Sequence, residues 1–119
     1  MKGMAKLQYE QAVYRVADAH YVGYQGGSWS LSRSGVWSPK VSGKVNLVCP
    51  DNYADVVVSA KAAGYGLSVV AASRLGWDAY NRGYEGNARY WFALMESVKQ
   101  EALDKLRGDD VAGFLSYID

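Results

Sequence analysis

The sequence predicts an α+β fold: an N-terminal helix, a small antiparallel meander of about four strands, then three helices packing on the sheet. Three observations predict it. Apolar residues recur at three- and four-residue spacing near the start of the chain and throughout its second half. Between them, residues 28–58 alternate in polarity and are broken by the turn signals Ser34-Gly35, Ser42-Gly43 and Pro50-Asp51-Asn52. Strand and helix signals are segregated along the chain, and the short spacing between strands suits antiparallel pairing.

The first helix is expected over residues 6–21, with Tyr9, Val13, Val16 and His20 on one face and Gly23 as its terminator. Tyr24-Gln25-Gly26-Gly27 reads as a tight connection into residues 28–33, where Trp29 and Leu31 alternate with serines. Trp29 is expected in the core. Val36 and Trp37 begin a second strand, and Pro39 stops its ladder or places it at an edge. Residues 44–49 and 53–58 supply the third and fourth strands. Ser59 is expected to cap a long helix over residues 60–81, whose apolar face includes Ala63, Leu67, Val70, Ala71 and Leu75. Gly64 and Gly66 lie inside it, each costing up to ~1 kcal/mol relative to Ala. Without side chains they let the helix lie close against the sheet. After a loop at residues 82–86, Asn87 is expected to cap a third helix over residues 88–107, with a Glu101–Lys105 pair on its outer side. Gly108 ends it, and Asp109 is expected to cap a last short helix carrying Val111, Phe114, Leu115 and Ile118.

A chain of 119 residues is expected to form one domain across its whole length. It carries 13 Lys and Arg against 12 Asp and Glu, a net charge of +1. That balance suits neither a strongly basic nucleic-acid coat nor an acidic imitation of DNA. Cys49 is the only cysteine, so no internal disulfide forms, and a reducing, cytoplasmic setting is expected. The first lysines are followed by no apolar run, so no signal peptide is expected. Residues 62–73 are uncharged but too short for a membrane span, and they read as a core helix.

Chemistry-bearing patterns are sparse. His20 and Cys49 are single copies without paired metal-ligand spacing; they read as a partly buried histidine with one hydrogen bond and a small buried apolar residue. With one histidine, any Ser or Cys nucleophile would have to use His20. Neither Gly64-Tyr65-Gly66 nor residues 23–27 has the strand-to-helix context of a phosphate loop. No catalytic, metal or cofactor residue is therefore assigned, and a binding protein is expected rather than an enzyme. A carboxylate hydrolase using Asp51, Asp55 and Glu85 is the enzyme alternative. Residues 28–48 carry Arg33, Lys40 and Lys44 and no acid; with Trp29 and Trp37 they give a nucleic-acid-binding alternative. Residues 96–119 carry six acids against three bases, which reads as a solvated helix face. Tyr80, Tyr84 and Tyr90 flank a polar, glycine-containing loop and are candidates for partner contact.

Several of these residues also resemble the ArdB/KlcA family of antirestriction proteins. The run Tyr24-Gln25-Gly26-Gly27-Ser28-Trp29 is similar to the family's Tyr-x-Gly-Gly-x-Trp. Leu31-Ser32-Arg33-Ser34-Gly35, followed by Trp37-Ser38-Pro39, is similar to its Leu-Ser-Asn-Gly-Gly, aromatic and small-residue-Pro series. Ser59-Ala60-Lys61-Ala62-Ala63-Gly64 resembles its Ser-Ala-Asp-Ala-Ala-Gly helix start, and Tyr117-Ile118-Asp119 its Ile-Asp ending. The match runs from about Val13 onward. Ser34 takes the place of the family's Asn or Gly, and the family's longer N-terminal extension has no counterpart in the sequence. The resemblance implies a protein of a plasmid, phage or genomic island that protects incoming DNA from host type I restriction–modification. It would do so by contact with a restriction component or another defence protein, or indirectly, without membrane attachment. Gly26, Gly27, Gly35 and Gly64 are expected to serve the fold. Asp119, on an acidic helix and without an evident packing task, is the leading interaction candidate, followed by Tyr84, Tyr90 and Trp37.

Overall fold

The computed structural model describes residue 1 and residues 3–119. Along the chain run α1 (Gly3–His20), β1 (Trp29–Leu31), β2 (Trp37–Pro39), β3 (Lys44–Cys49), β4 (Ala54–Ser59), α2 (Ala60–Asn81), α3 (Glu85–Lys105) and α4 (Gly108–Ile118). The α+β class is as expected, and β3 and α2 occupy the residues their patterns give.

The four strands divide into two antiparallel hairpins, β1–β2 and β3–β4, instead of one continuous meander. The backbone of β2 explains the division. Lys40 N–H donates to Ser28 C=O at 2.9 Å and Ser32 N–H to Val36 C=O at 3.0 Å. By antiparallel alternation, Trp37 and Pro39 then turn their main-chain groups away from β1. Pro39, buried in the strand opposite Trp29, therefore forfeits no bond to β1. The outward groups of Trp37 are both taken by one hydroxyl: Ser68 Oγ on α2 accepts from Trp37 N–H at 3.0 Å and donates to Trp37 C=O at 3.2 Å. A helix side chain closes the edge that β3 would have used.

Several boundaries move for local reasons. Tyr53 is the one non-glycine residue with positive φ among those described, at 60°, so it belongs to the turn and β4 starts at Ala54. Asn52 Oδ1 accepts from Ala54 N–H and fixes that turn. Tyr21 leaves α1 and bridges Leu47, so the chain after α1 covers the free edge of β3. Gly83, at φ 83°, ends α2 in a Schellman closure: Tyr84 N–H reaches Ala79 C=O and Gly83 N–H reaches Tyr80 C=O. α3 then begins at Glu85, whose carboxylate favours the first turn, so Asn87 lies inside the helix and is not its cap. Gly108 opens α4 and does not end α3, and Asp109 stands in the first turn of α4. Glu101 and Lys105 form no ion pair within 4 Å; Glu101 instead accepts from Tyr65 O–H at 2.7 Å.

Ser59 caps α2 as expected, with Oγ accepting from Ala62 N–H at 3.1 Å. The same residue is held by α4: its N–H and hydroxyl donate to the two Asp110 carboxylate oxygens at 2.9 and 2.7 Å. Burial works against the Asp110 charge, but these bonds and nearby Lys44 hold its carboxyl below the usual carboxylate range. From Ala62 to Val69 every residue of α2 is buried. The glycines make this possible. A Cβ on Gly64 would stand 2.9 Å from Ser38 Cα and from the Trp37 carbonyl oxygen, and one on Gly66 would stand 2.8 Å from the Tyr117 ring. Around α2 gather the fully buried Tyr9, Val13, Leu47, Phe114 and Tyr117.

Two glycine substitutions should move in opposite directions in chemical denaturation. Gly64→Ala is expected to destabilise by about 1–3 kcal/mol through overpacking on β2. Gly86→Ala, in open space on a helix, should stabilise by about 0.5–1 kcal/mol. Ser68→Ala, which strands both outward groups of Trp37, should cost about 1–3 kcal/mol in the same assay.

Candidate functional site

A cleft of about 370 Å³ opens where the ends of α1, β3 and α4 meet the flanks of α2 and α3. Each wall brings a polar group for a local reason. His20 is the last residue of α1, on the buried stripe of Tyr9, Val13 and Val16. Tyr117 sits on the inward face of α4, against the space left by Gly66. Arg74 lies where α2 emerges from the core, and Asp51 and Asn52 come from the β3–β4 turn. Glu96 and Lys99 of α3 and Asp119 complete the rim.

At the floor, His20 Nδ1 and the Tyr117 hydroxyl are 2.6 Å apart, and Arg74 Nη2 lies 3.4 Å from His20 Nε2. The tautomer protonated at Nδ1 satisfies both contacts: Nδ1–H donates to the phenol oxygen and Nε2 accepts from the guanidinium. Burial, then the Arg74 charge, holds the imidazole below its ordinary value, with Asp51 opposing. Burial also pushes the Tyr117 phenol well above its ordinary value. Asn52 ties the site together, with Nδ2 donating to Tyr117 C=O at 3.0 Å.

The two nitrogens of His20 face Tyr117 and Arg74, and no Ser or Cys side chain is hydrogen-bonded to either. Cys49 is buried and free, as the sequence suggests, and lines the cleft. Of the three carboxylates considered for hydrolysis, Asp51 lines the cleft while Asp55 and Glu85 do not, and all three are exposed. Among the described residues no group of three His, Cys, Asp or Glu side chains could hold a metal.

The other expected site residues are placed as follows. Asp119 is exposed on the cleft rim, and its backbone N–H donates to Leu115 C=O. Tyr84 and Tyr90 are exposed, at 58% and 46%, as is Tyr80. Trp37 is a correction: only 4% exposed, it belongs to the core, because Ser68 and the close approach at Gly64 pull β2 under α2. Trp29 is half-buried rather than core; its indole N–H donates to the Tyr24 hydroxyl at 3.1 Å and its ring meets Tyr14 and Tyr24. Gly26 and Gly27 take positive φ in the connection, and Gly35, at φ 91°, accepts the Tyr9 hydroxyl on its carbonyl. Arg33, Lys40 and Lys44 are exposed, but of the two tryptophans near them Trp37 is buried and Trp29 is half-buried. Sequence reasoning missed Arg74, Ser68 and the His20–Tyr117 contact, since each joins elements far apart in the chain.

Comparisons with protein-family models, curated proteins and solved structures find no match to this chain.

The depressed His20 value sets a pH dependence. The fold favours the neutral imidazole, whereas the unfolded chain titrates near 6.5. The contribution of His20 to stability is therefore full above that pH and is lost as pH falls through the folded-state value. Denaturation between pH 7 and 5 should show stability falling, by at most ~1.4 kcal/mol per pH unit from this one group. His20→Gln should remove that part of the slope, and an unchanged slope would assign it elsewhere.

Proposed function

We propose that this chain counteracts host type I restriction–modification, in the manner of the ArdB/KlcA antirestriction proteins it resembles, by contacting a protein of the restriction machinery. It would be carried by a plasmid, phage or genomic island and act in the bacterial cytoplasm, without enzymatic activity or a cofactor. The observation that carries this reading is the ordered series of four motifs from Tyr24 to Asp119.

The structure supplies the physical support. A net charge of +1 gives no strong negative field with which to imitate DNA. The histidine of the cleft is engaged by Tyr117 and Arg74. Most motif residues serve backbone geometry: Gly26, Gly27 and Gly35 by positive φ, Gly64 by close approach and Ser59 by capping. Asp119 differs, because among the described residues its carboxylate makes no hydrogen bond, and it is exposed at the cleft rim. No helix among the described residues is long and apolar enough to cross a membrane. The nucleic-acid alternative loses support from the burial of Trp37.

The test is the plating efficiency of unmodified phage on matched bacteria with and without a type I system, each with and without this protein. Rescue confined to the restricting strain is the expected result. Asp119→Ala should keep the fold, by circular dichroism, and lose protection by about tenfold, the effect of ~1.4 kcal/mol of lost contact. Absence of rescue by the parent protein would overturn the type I reading and turn attention to another defence system.

A further inference from the structure

We propose that the exposed stripe on the C-terminal half of α2, with Arg15 of α1 beside it, is a docking surface for an acidic amphipathic helix of a partner protein. The inference goes beyond the antirestriction reading, since it names a partner chemistry that can be measured without restriction. Arg74, Trp77, Asp78, Asn81 and Arg82 follow one another at i, i+3, i+4, i+7 and i+8, and all are exposed.

The apolar part of the stripe is pre-ordered. Trp77 is 56% exposed, yet its ring is fixed edge-to-face against Tyr80, with centroids 5.7 Å apart, and against Phe92 at 5.2 Å. Gly76 permits this, because a Cβ there would stand 2.6 Å from the Phe92 ring. An exposed tryptophan held in one orientation loses little entropy on binding, which is what an interface anchor requires.

The charged part carries more base than acid. Arg15, Arg74 and Arg82 line one groove of about 260 Å³ with a single acid, Asp78. Asp78 and Arg82 make the only ion pair among the described residues, at 3.3 Å. Arg15 and Arg74 have no carboxylate within 4 Å. A second groove, between α1, α2 and α3, brings the exposed Tyr84 beside Arg82. Arginines flanking a rigid tryptophan complement a partner that offers carboxylates around an apolar ridge, and a straight helical stripe matches a helical partner. A nucleic acid fits less well: three guanidinium groups, one of them paired with Asp78 and one in contact with His20, neutralise few phosphates.

The test uses the full chain and a fluorescently labelled synthetic helix with leucines on one face and glutamates elsewhere, read by anisotropy at physiological salt. A lysine version of that helix and a single-stranded DNA oligonucleotide are the comparisons. The glutamate helix should bind, and the other two should bind at least about tenfold more weakly. Trp77→Ala and the exposed double variant Arg15→Glu/Arg82→Glu should each weaken binding by about tenfold or more, with unchanged circular dichroism. Equal binding of acidic and basic helices, no effect of either variant, or tighter binding of DNA would overturn the proposal. So would sedimentation showing a dimer of this chain that Trp77→Ala dissociates, since the stripe would then be occupied by a second copy.

Discussion

The close approach of α2 to its neighbours is the constraint on which the rest of the structure depends. Its N-terminal half is built from Ala62, Ala63, Gly64, Gly66, Leu67 and Ser68, all buried, and on this small-residue face the neighbours reach the helix backbone. β2 lies against Gly64, and Tyr117 of α4 lies against Gly66. Farther along, Phe92 of α3 fills the space at Gly76. Each glycine weakens the helix in isolation, and each is offset by contact that any Cβ would prevent. Ser68 adds a polar counterpart by completing the hydrogen bonding of β2, whose outward groups would otherwise be buried unpaired.

This packing also decides where chemistry can occur. A helix buried over its first turns and exposed over its last delivers Arg74 at the point of emergence, beside a histidine brought by α1 and a tyrosine brought by α4. The cleft is thus a product of the ends of α1 and α4 converging on the flanks of α2 and α3, with Asn52 fastening the strand turn to α4. Beyond Arg74 the same helix and its C-cap present Trp77 and Arg82 to solvent. Fold, cleft and exposed stripe are successive segments of one element.

The elements were largely legible in the sequence because they follow local rules. Alternation marked β3, Ser59 marked the start of α2, and helical spacing marked its length. Helix starts were harder: α3 begins at Glu85 because the Schellman closure at Gly83 leaves three linking residues, and no side-chain cap announces it. The split of the strands into two hairpins was not legible, since it depends on a bond between Ser68 and Trp37, 31 residues apart. Among the candidate residues, Asp119 was recognisable as one without an evident packing task, and the exposure of Tyr80, Tyr84 and Tyr90 follows from their place around a polar loop. Trp37 misled, because an aromatic beside lysines looks like a surface until the helix above it is known. The His20–Tyr117 contact spans 97 residues, and only tertiary structure makes it.

The central claim is that the protein acts on a protein and not on DNA. Sedimentation of the purified chain with a purified type I restriction complex, and separately with duplex DNA, tests it most directly at physiological salt. The account predicts co-sedimentation with the restriction complex and none with duplex alone. Association with the duplex that weakens steeply as salt is raised, without association with the complex, would contradict it.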